Sequence, residues 1–237
     1  MHYSNYIENR TMKKFKKFIK IICLIILAIN LIYIVVVGIL SILYNFVNPP
    51  ITGLMIYRNI VSHYPIKAVK FVPLKSIPKS VQRMVILLED SHFYKHYGID
   101  FETIKESYRI NKKYDKIIAG GSTITMQLAR TLFLTPNRNY VRKYFEVIAT
   151  LELELFLSKE RILELYLNYV EYGKGIFGIQ AASYYYYKRP ISKISLDQYA
   201  RLVTIIASPI KYNVYNLEKS KKLRFRYQFL QERYGIQ

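Results

Sequence analysis

An uninterrupted apolar run near the start of the chain limits what this sequence can fold into. From Ile21 to Val47 there are 27 residues without a charged side chain, and Asn30 is the only strongly polar residue before Asn45. As a helix with a rise of about 1.5 Å per residue, the run reaches about 40 Å, more than the bilayer's hydrocarbon thickness of about 30 Å. A buried helix of a soluble protein is the alternative, but such helices seldom lack charge over this length. The sequence therefore predicts a membrane-spanning helix.

The charges that precede the apolar run predict its orientation. Against the single acid Glu8, a short flank carries six basic residues, namely Arg10, Lys13, Lys14, Lys16, Lys17 and Lys20. Short basic flanks stay in the cytoplasm, whereas a long domain is exported largely regardless of its own charge. The run is too long for a signal-peptide core, and its end, LYNFVNPP, lacks a small-x-small cleavage site. We therefore predict an uncleaved signal anchor with the N-terminus inside and residues 48–237 outside.

Length and composition favour one folded domain behind this anchor. The 237 residues are 51% hydrophobic, which excludes wholesale disorder and leaves room for one domain plus an appendage. The single cysteine, Cys23, excludes an intramolecular disulfide and a cysteine-based metal cluster. The predicted division is a basic cytoplasmic tail at 1–20, the transmembrane signal anchor at 21–47, a linker leading into the domain at 48–79, the domain at 80–215, and a basic C-terminal segment at 216–237.

The hydrophobic pattern of the exported part is helical. Apolar residues recur every three or four positions and few stretches alternate with a period of two, so the predicted class is mostly α. The stretch 105–119 is basic and tyrosine-rich, and indicates an irregular or amphipathic segment that we expect to be a mobile loop. Predicted helices run from Ser80 as N-cap to Asp90, from Ser158 as N-cap to Gly173, and over 123–134, 140–157, 176–187 and 196–207.

Four short motifs follow one another in the predicted domain. They are EDSHFYKHYG at 89–98, GGSTITMQLAR at 120–130, RKYFE at 142–146 and KERILELYLN at 159–168. In this order they resemble EDxxFxxHxG, GGSTITQQ, RKxxE and KxxILExYLN of the peptidoglycan glycosyltransferases of glycosyltransferase family 51. One such motif is weak, but four in order are specific. The resemblance covers roughly residues 60–215 and is to the monofunctional, membrane-anchored members.

The resemblance implies a fold and an activity. Members have a lysozyme-like, mostly helical domain with a globular head and a smaller membrane-associated jaw, to which residues 102–119 would belong, plus one N-terminal transmembrane helix. They transfer the growing glycan chain from its undecaprenyl pyrophosphate carrier to the 4-hydroxyl of lipid II, with inversion at the anomeric carbon. Such a displacement needs one base and no covalent sugar intermediate. No transpeptidase domain is expected, because SIPK at 76–79 matches SxxK but no SxN or KTG follows it.

By motif position, the resemblance assigns two catalytic carboxylates, Glu89 and Glu146. Glu89 is the expected base, because a sugar hydroxyl is a poor nucleophile at neutral pH and needs a carboxylate within hydrogen-bond reach. Glu146 is expected either to orient the neighbouring basic residues or to help the donor pyrophosphate depart. The residues expected to bind substrate are Asp90, Phe93, His96, Ser122, Thr123, Gln127, Arg130, Arg142 and Lys143.

The leaving group explains the basic residues of this set. Departure of a lipid pyrophosphate develops negative charge, which fixed cations stabilise better in a water-poor site than in bulk water. Arg130, Arg142 and Lys143 are the candidates, and the glycine-flexed helix start at 120–123 adds backbone N–H groups that favour a phosphate. Arg130 stands where the family usually has lysine, which keeps the charge and changes its geometry. Met126 stands where the family pattern has its first glutamine.

The same resemblance predicts partners and location. The expected partners are lipid II, glycan linked to undecaprenyl pyrophosphate and membrane lipids, with cell-wall synthesis or division proteins as further candidates and no nucleic acid. No cofactor or metal site is expected to be required, although a divalent cation such as Mg²⁺ can assist at the pyrophosphate. The expected location is the cytoplasmic (inner) membrane, single-pass, with the catalytic domain on the outer or periplasmic face. Basic residues near anionic lipid would help the jaw to sit on the bilayer.

Other interpretations of these residues stay open. His92 and His96 have the spacing of metal ligands on a helix, but the sequence offers no third ligand. Glu164 and Asn168 are expected to form a side-chain pair that braces the site. A lytic muramidase also uses a lone glutamate on a lysozyme-like fold, although its neutral substrate needs no phosphate clamp. A non-catalytic membrane scaffold, or a nucleic-acid-binding protein that uses the +20 charge, would not need both carboxylates.

Overall fold

The computed structural model describes residues 2–115 and 120–236, without the side chains of residues 2–11 and 13. The predicted basic side chains Arg10 and Lys13, and residues 116–119 of the predicted loop, lie outside the described residues. The described part is mostly helical, which confirms the predicted class. Its elements are α1 (His2–Leu43), α2 (Gly53–Ile60), α3 (Lys79–Glu89), α4 (Phe101–Tyr114), α5 (Ile124–Phe133), α6 (Tyr140–Phe156), α7 (Lys159–Tyr169), an antiparallel pair of short strands β1 (Glu171–Gly173) and β2 (Ile176–Phe177), α8 (Ile179–Tyr187), α9 (Leu196–Ile205) and α10 (Lys221–Tyr234).

Helix α1 contains the predicted span. Within it, Lys14–Leu43 is long and apolar enough to cross a membrane. Its apolar side chains are largely exposed, and Leu27 and Ile32 keep 65% and 64% of their surface. A buried soluble helix does not explain this exposure, because such a helix hides its apolar surface inside the protein. The helix therefore fits a membrane anchor, as predicted.

Helix α5 lies at the centre of the folded domain. It packs on α6, α7 and α2, and its Leu128 and Ala129 are fully buried. Helix α7 contributes Ile162 and Leu163, which recur at helical spacing and are also fully buried. The second, third and fourth sequence motifs lie on α5, α6 and α7, so a close-packed framework positions their polar side chains.

Segments on both sides of residues 80–215 also supply the core. Helix α2, in the predicted linker, buries Leu54 and Met55. Helix α10, in the predicted C-terminal segment, packs on α9 and buries Leu223 among other residues. The packed domain therefore draws on residues before and after the stretch that its sequence motifs mark.

The predicted loop at 105–119 is helical over most of its length. Helix α4 begins where Asp100 accepts a hydrogen bond from the Thr103 N–H (2.9 Å), and it ends at Asp115, whose φ of 47° is left-handed. Among the described residues of α4 only Ser107 is buried. The irregular alternative is therefore wrong here. The helix was hard to predict because so little of its surface is buried, and apolar periodicity reports buried surface.

Three predicted helix ends are also wrong. The helix predicted over 176–187 begins at Ile179, because Ile176–Phe177 form strand β2. Ser80 does not cap α3, which begins at Lys79 directly after Pro78, whose fixed φ favours entry into a helix. Helix α7 ends at Tyr169, and Gly173 instead ends strand β1. The caps at Ser158 and Thr123 are confirmed, since each side chain accepts a hydrogen bond from the third backbone N–H that follows it.

Candidate active site

Glu89 lies at the end of α3 with its carboxylate held from two sides. Its side chain is only 8% exposed. The Gln127 amide of α5 donates to Oε2 (2.9 Å), and the guanidinium of Arg226 on α10 forms an ion pair with Oε1. Arg226 also donates to the Leu88 carbonyl (3.2 Å). Packing of three helices therefore fixes the direction in which Glu89 points.

Tyr166 on α7 orients Gln127, and Gln127 in turn orients Glu89. Its hydroxyl donates to Gln127 Oε1 (3.0 Å), which turns the amide nitrogen of Gln127 toward the carboxylate. Burial, with a smaller contribution from the negative charge of Glu89, raises the pKa of Tyr166 well above its ordinary value. The hydroxyl therefore stays protonated at neutral pH and acts as the donor of this chain.

Arg142, Lys143 and Glu146 form one cluster at the start of α6. Glu146 is 1% exposed, and it accepts a hydrogen bond from Lys143 Nζ (2.6 Å) while pairing with the Arg142 guanidinium. Asn139 caps the helix by accepting from the Arg142 N–H (2.7 Å). A buried carboxylate engaged by two cations is a poor proton carrier and a good anchor for them. The geometry therefore favours the orienting role among the two expected for Glu146.

Two cavities meet beside these residues. The small cavity, about 150 Å³, is lined by Glu89, Asp90, Asp100, Thr103 and the stretch 120–123 together with its neighbours. The cationic groove, about 630 Å³, shares Gly120 and Ser122 with the small cavity. Its charged and amide lining consists of Arg58, Gln127, Arg130, Arg138, Arg142, Glu171, Lys211 and Lys222. An anion in the groove would thus lie next to a cavity that contains an oriented carboxylate.

This arrangement coincides with a family match that spans the whole folded domain. A family model described as Transglycosylase matches residues 58–233, well over half of the chain. The chain belongs to the transglycosylase family. The matched range includes all four sequence motifs, and it also includes α10, which supplies Arg226.

Curated relatives within the family carry the name Biosynthetic peptidoglycan transglycosylase. The relative from Caulobacter vibrioides is 39% identical over 191 residues, which cover 77% of this chain and 80% of the relative. One from Haemophilus influenzae (strain PittEE) is 41% identical over 179 residues, covering 73% and 74% of the two chains. For a relative from Herminiimonas arsenicoxydans, identity is 44% over 146 residues, and this chain spans 63% of that protein's length.

Asp90 and His96 hold the loop that follows Glu89. Asp90 is 8% exposed, and its carboxylate bonds His96 Nε2 (2.9 and 3.1 Å) and accepts from the Ile124 N–H at the start of α5 (3.0 Å). Asp90 also lines the small cavity, so the expected substrate binding of the two side chains stays a prediction alongside these contacts within the protein. They fix the end of α3 to the start of α5, and so position Glu89 relative to Gln127.

Phe93 and Thr123 are buried, although Thr123 also lines the small cavity, and their expected contact with substrate stays a prediction. Phe93 is fully buried, with the Lys159 ammonium 4.5 Å from its ring centroid. Thr123, 2% exposed, caps α5 and donates to the Gly98 carbonyl (2.6 Å). Gly98 has a φ of +83°, and a Cβ there would come within 2.7 Å of Thr150, so the close approach of this loop requires glycine. Both residues are packed under the site and support its loops.

Ser122, Gln127, Arg130 and Arg142 are the predicted site residues that line the groove. Lys143 is more exposed than Arg142, and its side chain keeps 39% of its surface beside Glu146. These residues are partly accessible and carry donors or positive charge, as contact with a phosphate requires. Glu89, Ser122 and Asp90 line the neighbouring small cavity.

His92 and His96 do not share a metal site with each other in the described part of the chain. His92 Nδ1 lies 2.9 Å from Asp100 Oδ2, while the ligand atoms of Asp90, His96 and Asp100 all lie within 4.8 Å of one another. Burial opposes ionisation of Asp100, but hydrogen bonds from Thr103 and His92 outweigh it and lower its pKa to about 2. Each member of this trio has a hydrogen-bond partner in the protein, and these contacts hold the loop together.

Glu164 and Asn168 brace the site, although not as the predicted pair. Glu164 Oε1 accepts from the Leu74 N–H (2.7 Å). Asn168 accepts from the Val72 N–H (2.8 Å) and donates to the Val72 carbonyl (2.9 Å). Each side chain therefore binds the segment before α3 separately, Asn168 at Val72 and Glu164 at Leu74.

Arg226 is the contact that sequence reasoning missed at Glu89. It lies outside the four motifs, in the segment assigned to a basic tail, where one arginine among many basic residues carries no special signal. Arg58, also missed, forms a two-point ion pair with Glu171 beside the groove (2.9–3.1 Å). Basic residues seldom become as buried as these, 15% exposed each, without a partner, but this burial is visible only in the fold and gave no signal in the sequence.

Proposed function

We propose that this chain polymerises peptidoglycan glycan strands. It transfers the growing strand from its undecaprenyl pyrophosphate carrier to the 4-hydroxyl of lipid II, with inversion at the anomeric carbon. The observation that carries the proposal is Glu89, oriented by Gln127 and Arg226 in a cavity adjoining the cationic groove. The family match and the names of the relatives support the same reaction class.

Glu89 supplies the base. One carboxylate oxygen takes the proton of the acceptor's 4-hydroxyl while the hydroxyl oxygen bonds to the anomeric carbon of the donor. The bond from that carbon to the pyrophosphate oxygen breaks in the same displacement. Because Gln127 and Arg226 fix the carboxylate beforehand, little reorganisation is left for the reaction itself. Proton transfer of this kind contributes about 10²–10⁴-fold to the rate.

The cationic groove receives the leaving group. Arg142 and Lys143 at the start of α6, and Arg130 on α5, would bind the pyrophosphate as its negative charge develops. The N-terminus of α6 adds backbone N–H groups of partial positive charge. Glu146 holds two of these cations in place, which stabilises the transition state through their position.

No cofactor is part of this proposal, because side-chain cations already face the leaving group. A divalent cation such as Mg²⁺ can assist them at the pyrophosphate oxygens. We further place the chain in the cytoplasmic membrane as a single-pass protein, with its N-terminus inside and its catalytic domain on the outer face. Its partners there are lipid II, the carrier-linked strand and membrane lipids, with cell-wall synthesis or division proteins as further candidates.

The test uses the full chain in detergent with labelled lipid II, with and without EDTA, and products separated by size. Glu89→Gln removes the base, and Glu232→Gln changes an exposed glutamate on α10 as a matched control. Long strands from the parent and the control, and almost none from Glu89→Gln, are expected. Shortening of preformed glycan without synthesis would favour the muramidase. No reaction from any protein would favour the scaffold.

A further inference from the structure

The end of the anchor helix is held by a side chain of the catalytic domain. Helix α1 stops at Leu43, so the carbonyls at its end lack donors from within the helix. Arg161 on α7 donates from Nε to the Tyr44 carbonyl (2.7 Å), and from Nη2 to the Val47 carbonyl (3.0 Å) and Asn48 Oδ1 (2.9 Å). A cation at this end also opposes the negative pole of the helix dipole. Arg161 therefore holds the turn that follows α1, whose own backbone N–H groups bond to the Leu40, Ile42 and Leu43 carbonyls.

Arg161 is itself held firmly. Its side chain is 15% exposed, and its remaining Nη1 pairs with Glu164. Glu164 in turn accepts from the Leu74 N–H, so one ion pair joins the end of the anchor and the segment before α3 to helix α7. Hydrogen bonds with a charged donor are stronger than neutral ones, and a planar guanidinium serves several acceptors in one fixed geometry.

The rest of the junction lies along α6. Tyr33 donates its hydroxyl to the Phe145 carbonyl (3.1 Å), and twelve residues later the Asn45 amide donates to the Phe156 carbonyl (2.9 Å). Gly38 lies between these contacts, where a Cβ would be 3.6 Å from the Phe156 ring. Residue numbers rise together in both helices, so α1 and α6 run parallel. The helix that begins with the cationic cluster is thus aligned with the membrane anchor.

We propose that Arg161 is a positioning residue that locks the anchor to the catalytic domain and so sets the position of Arg142 and Lys143 along the bilayer normal. This inference rests on the proposed function. The pyrophosphate of a lipid-linked substrate has a height fixed by its lipid, so a domain that pivots on residues 44–48 presents its cations at the wrong level. Misplacement by about 1 Å can cost about 10²-fold in rate. Arg161 does not line the groove or the small cavity among the described residues.

The experiment compares substrates whose pyrophosphate is and is not fixed in a membrane. The full chain in liposomes receives lipid II with its long lipid, or a short-chain, water-soluble lipid II analogue. Arg161→Met keeps an unbranched apolar side chain and removes its donors. Arg201→Met is the matched control, because Arg201 also pairs with a carboxylate, Asp197, and donates to a carbonyl, that of Val214 (3.3 Å), far along the chain from the anchor.

Arg161→Met should lower kcat/KM for the membrane-embedded substrate by about tenfold or more, and for the soluble analogue by less than about threefold. Arg161→Lys, which keeps the charge without the fork, should fall between Arg161→Met and the parent. The Arg201→Met control should change the rates with the two substrates by the same factor. An equal loss on both substrates for Arg161→Met, or no loss on either, overturns the proposal.

A distance measurement tests the lock without activity. Spin labels are placed on Cys23, which is exposed on α1, and on a Phe225→Cys variant, since Phe225 is 71% exposed on α10. In nanodiscs, the label-to-label distance distribution should be narrow in the parent and in Arg201→Met, and broad in Arg161→Met. Unchanged width in Arg161→Met overturns the lock. If the parent polymerises neither substrate, the proposed function fails while this measurement still decides the role of Arg161.

Discussion

The two carboxylates of the site are held in different ways. Glu146 pairs with the cations that precede it by four and three residues on the same helix. Glu89 is bound by Gln127 and Arg226, which lie 38 and 137 residues away in the chain. The first arrangement can form together with α6, whereas the second exists only when α3, α5 and α10 are packed. Local sequence therefore determines the contacts of Glu146, whereas the tertiary fold determines those of Glu89.

The difference indicates a division of labour. Glu146 is buried and engaged by two positive side chains, so we propose that its charge positions them and does not act on the acceptor hydroxyl. Glu89 lines the small cavity next to the groove, where an acceptor can reach it. A catalytic base must meet its substrate with a fixed geometry, and distant parts of the fold supply that geometry here.

The largest effect short of removing Glu89 is expected from its distant ion-pair partner. Arg226→Gln frees one carboxylate oxygen of Glu89 from its partner, so the base loses its fixed direction. We expect kcat for strand synthesis to fall by about 10²-fold. Arg224→Gln changes an exposed arginine two residues away on α10 and should retain the parental rate. Parental activity in Arg226→Gln would show that Glu89 is oriented without α10.

A smaller effect is expected when the local cluster is broken. Glu146→Gln leaves Arg142 and Lys143 without their carboxylate, so both can turn toward solvent or each other. We expect kcat/KM for lipid II to fall by about tenfold, chiefly through KM, because loss of one partner of a charged hydrogen bond costs about 1–3 kcal/mol. Steady-state kinetics over a range of lipid II concentrations separates the two constants. A loss carried mainly by kcat would place Glu146 in the chemical step.

The Tyr166 hydroxyl should contribute less, since it acts on Glu89 through Gln127. Tyr166→Phe removes the donor to Gln127 Oε1 and lets the amide rotate. We expect kcat to fall by about threefold, the value of one modest hydrogen bond. Tyr199→Phe is the control, because its hydroxyl donates to the Ile191 carbonyl (2.7 Å) outside the site. Equal losses of kcat in both variants would show that Tyr166→Phe acts through lower protein stability and not through the orientation of Glu89.

Asp100 should stabilise the fold near neutral pH and lose this contribution in acid. Its pKa is lowered from 3.8 to about 2, so the ionised form stabilises the fold at pH values above the unfolded pKa, and this contribution is lost as pH falls from about 4 toward 2. The melting temperature of the parent should therefore exceed that of Asp100→Asn at pH 6, and the gap should narrow below pH 4. A constant gap from pH 6 to pH 2 would contradict this pKa.

The sequence predicts the parts of the fold and site that depend on neighbours in the chain. The anchor run and the caps at Ser158 and Thr123 follow from periodicity and short spacings, and the family resemblance marks the RKYFE cluster. The structure forms all of them. Phe93 shows the limit of a motif, because a motif alone does not distinguish residues that contact substrate from residues that support the loop. Arg226 and helix α4 were missed because their roles depend on distant packing and on little buried surface, which leave no local pattern.

A single-turnover comparison of Glu89→Gln with Glu146→Gln at saturating lipid II tests the division of labour most directly. At saturation, differences in substrate binding are removed and the rate reports the chemical step. Glu89→Gln should lose about 10³-fold or more, within the range for a general base, while Glu146→Gln keeps a rate within about threefold of the parent. Equal losses, or a larger loss in Glu146→Gln, would show that Glu146 takes part in the proton transfer or bond cleavage assigned to Glu89.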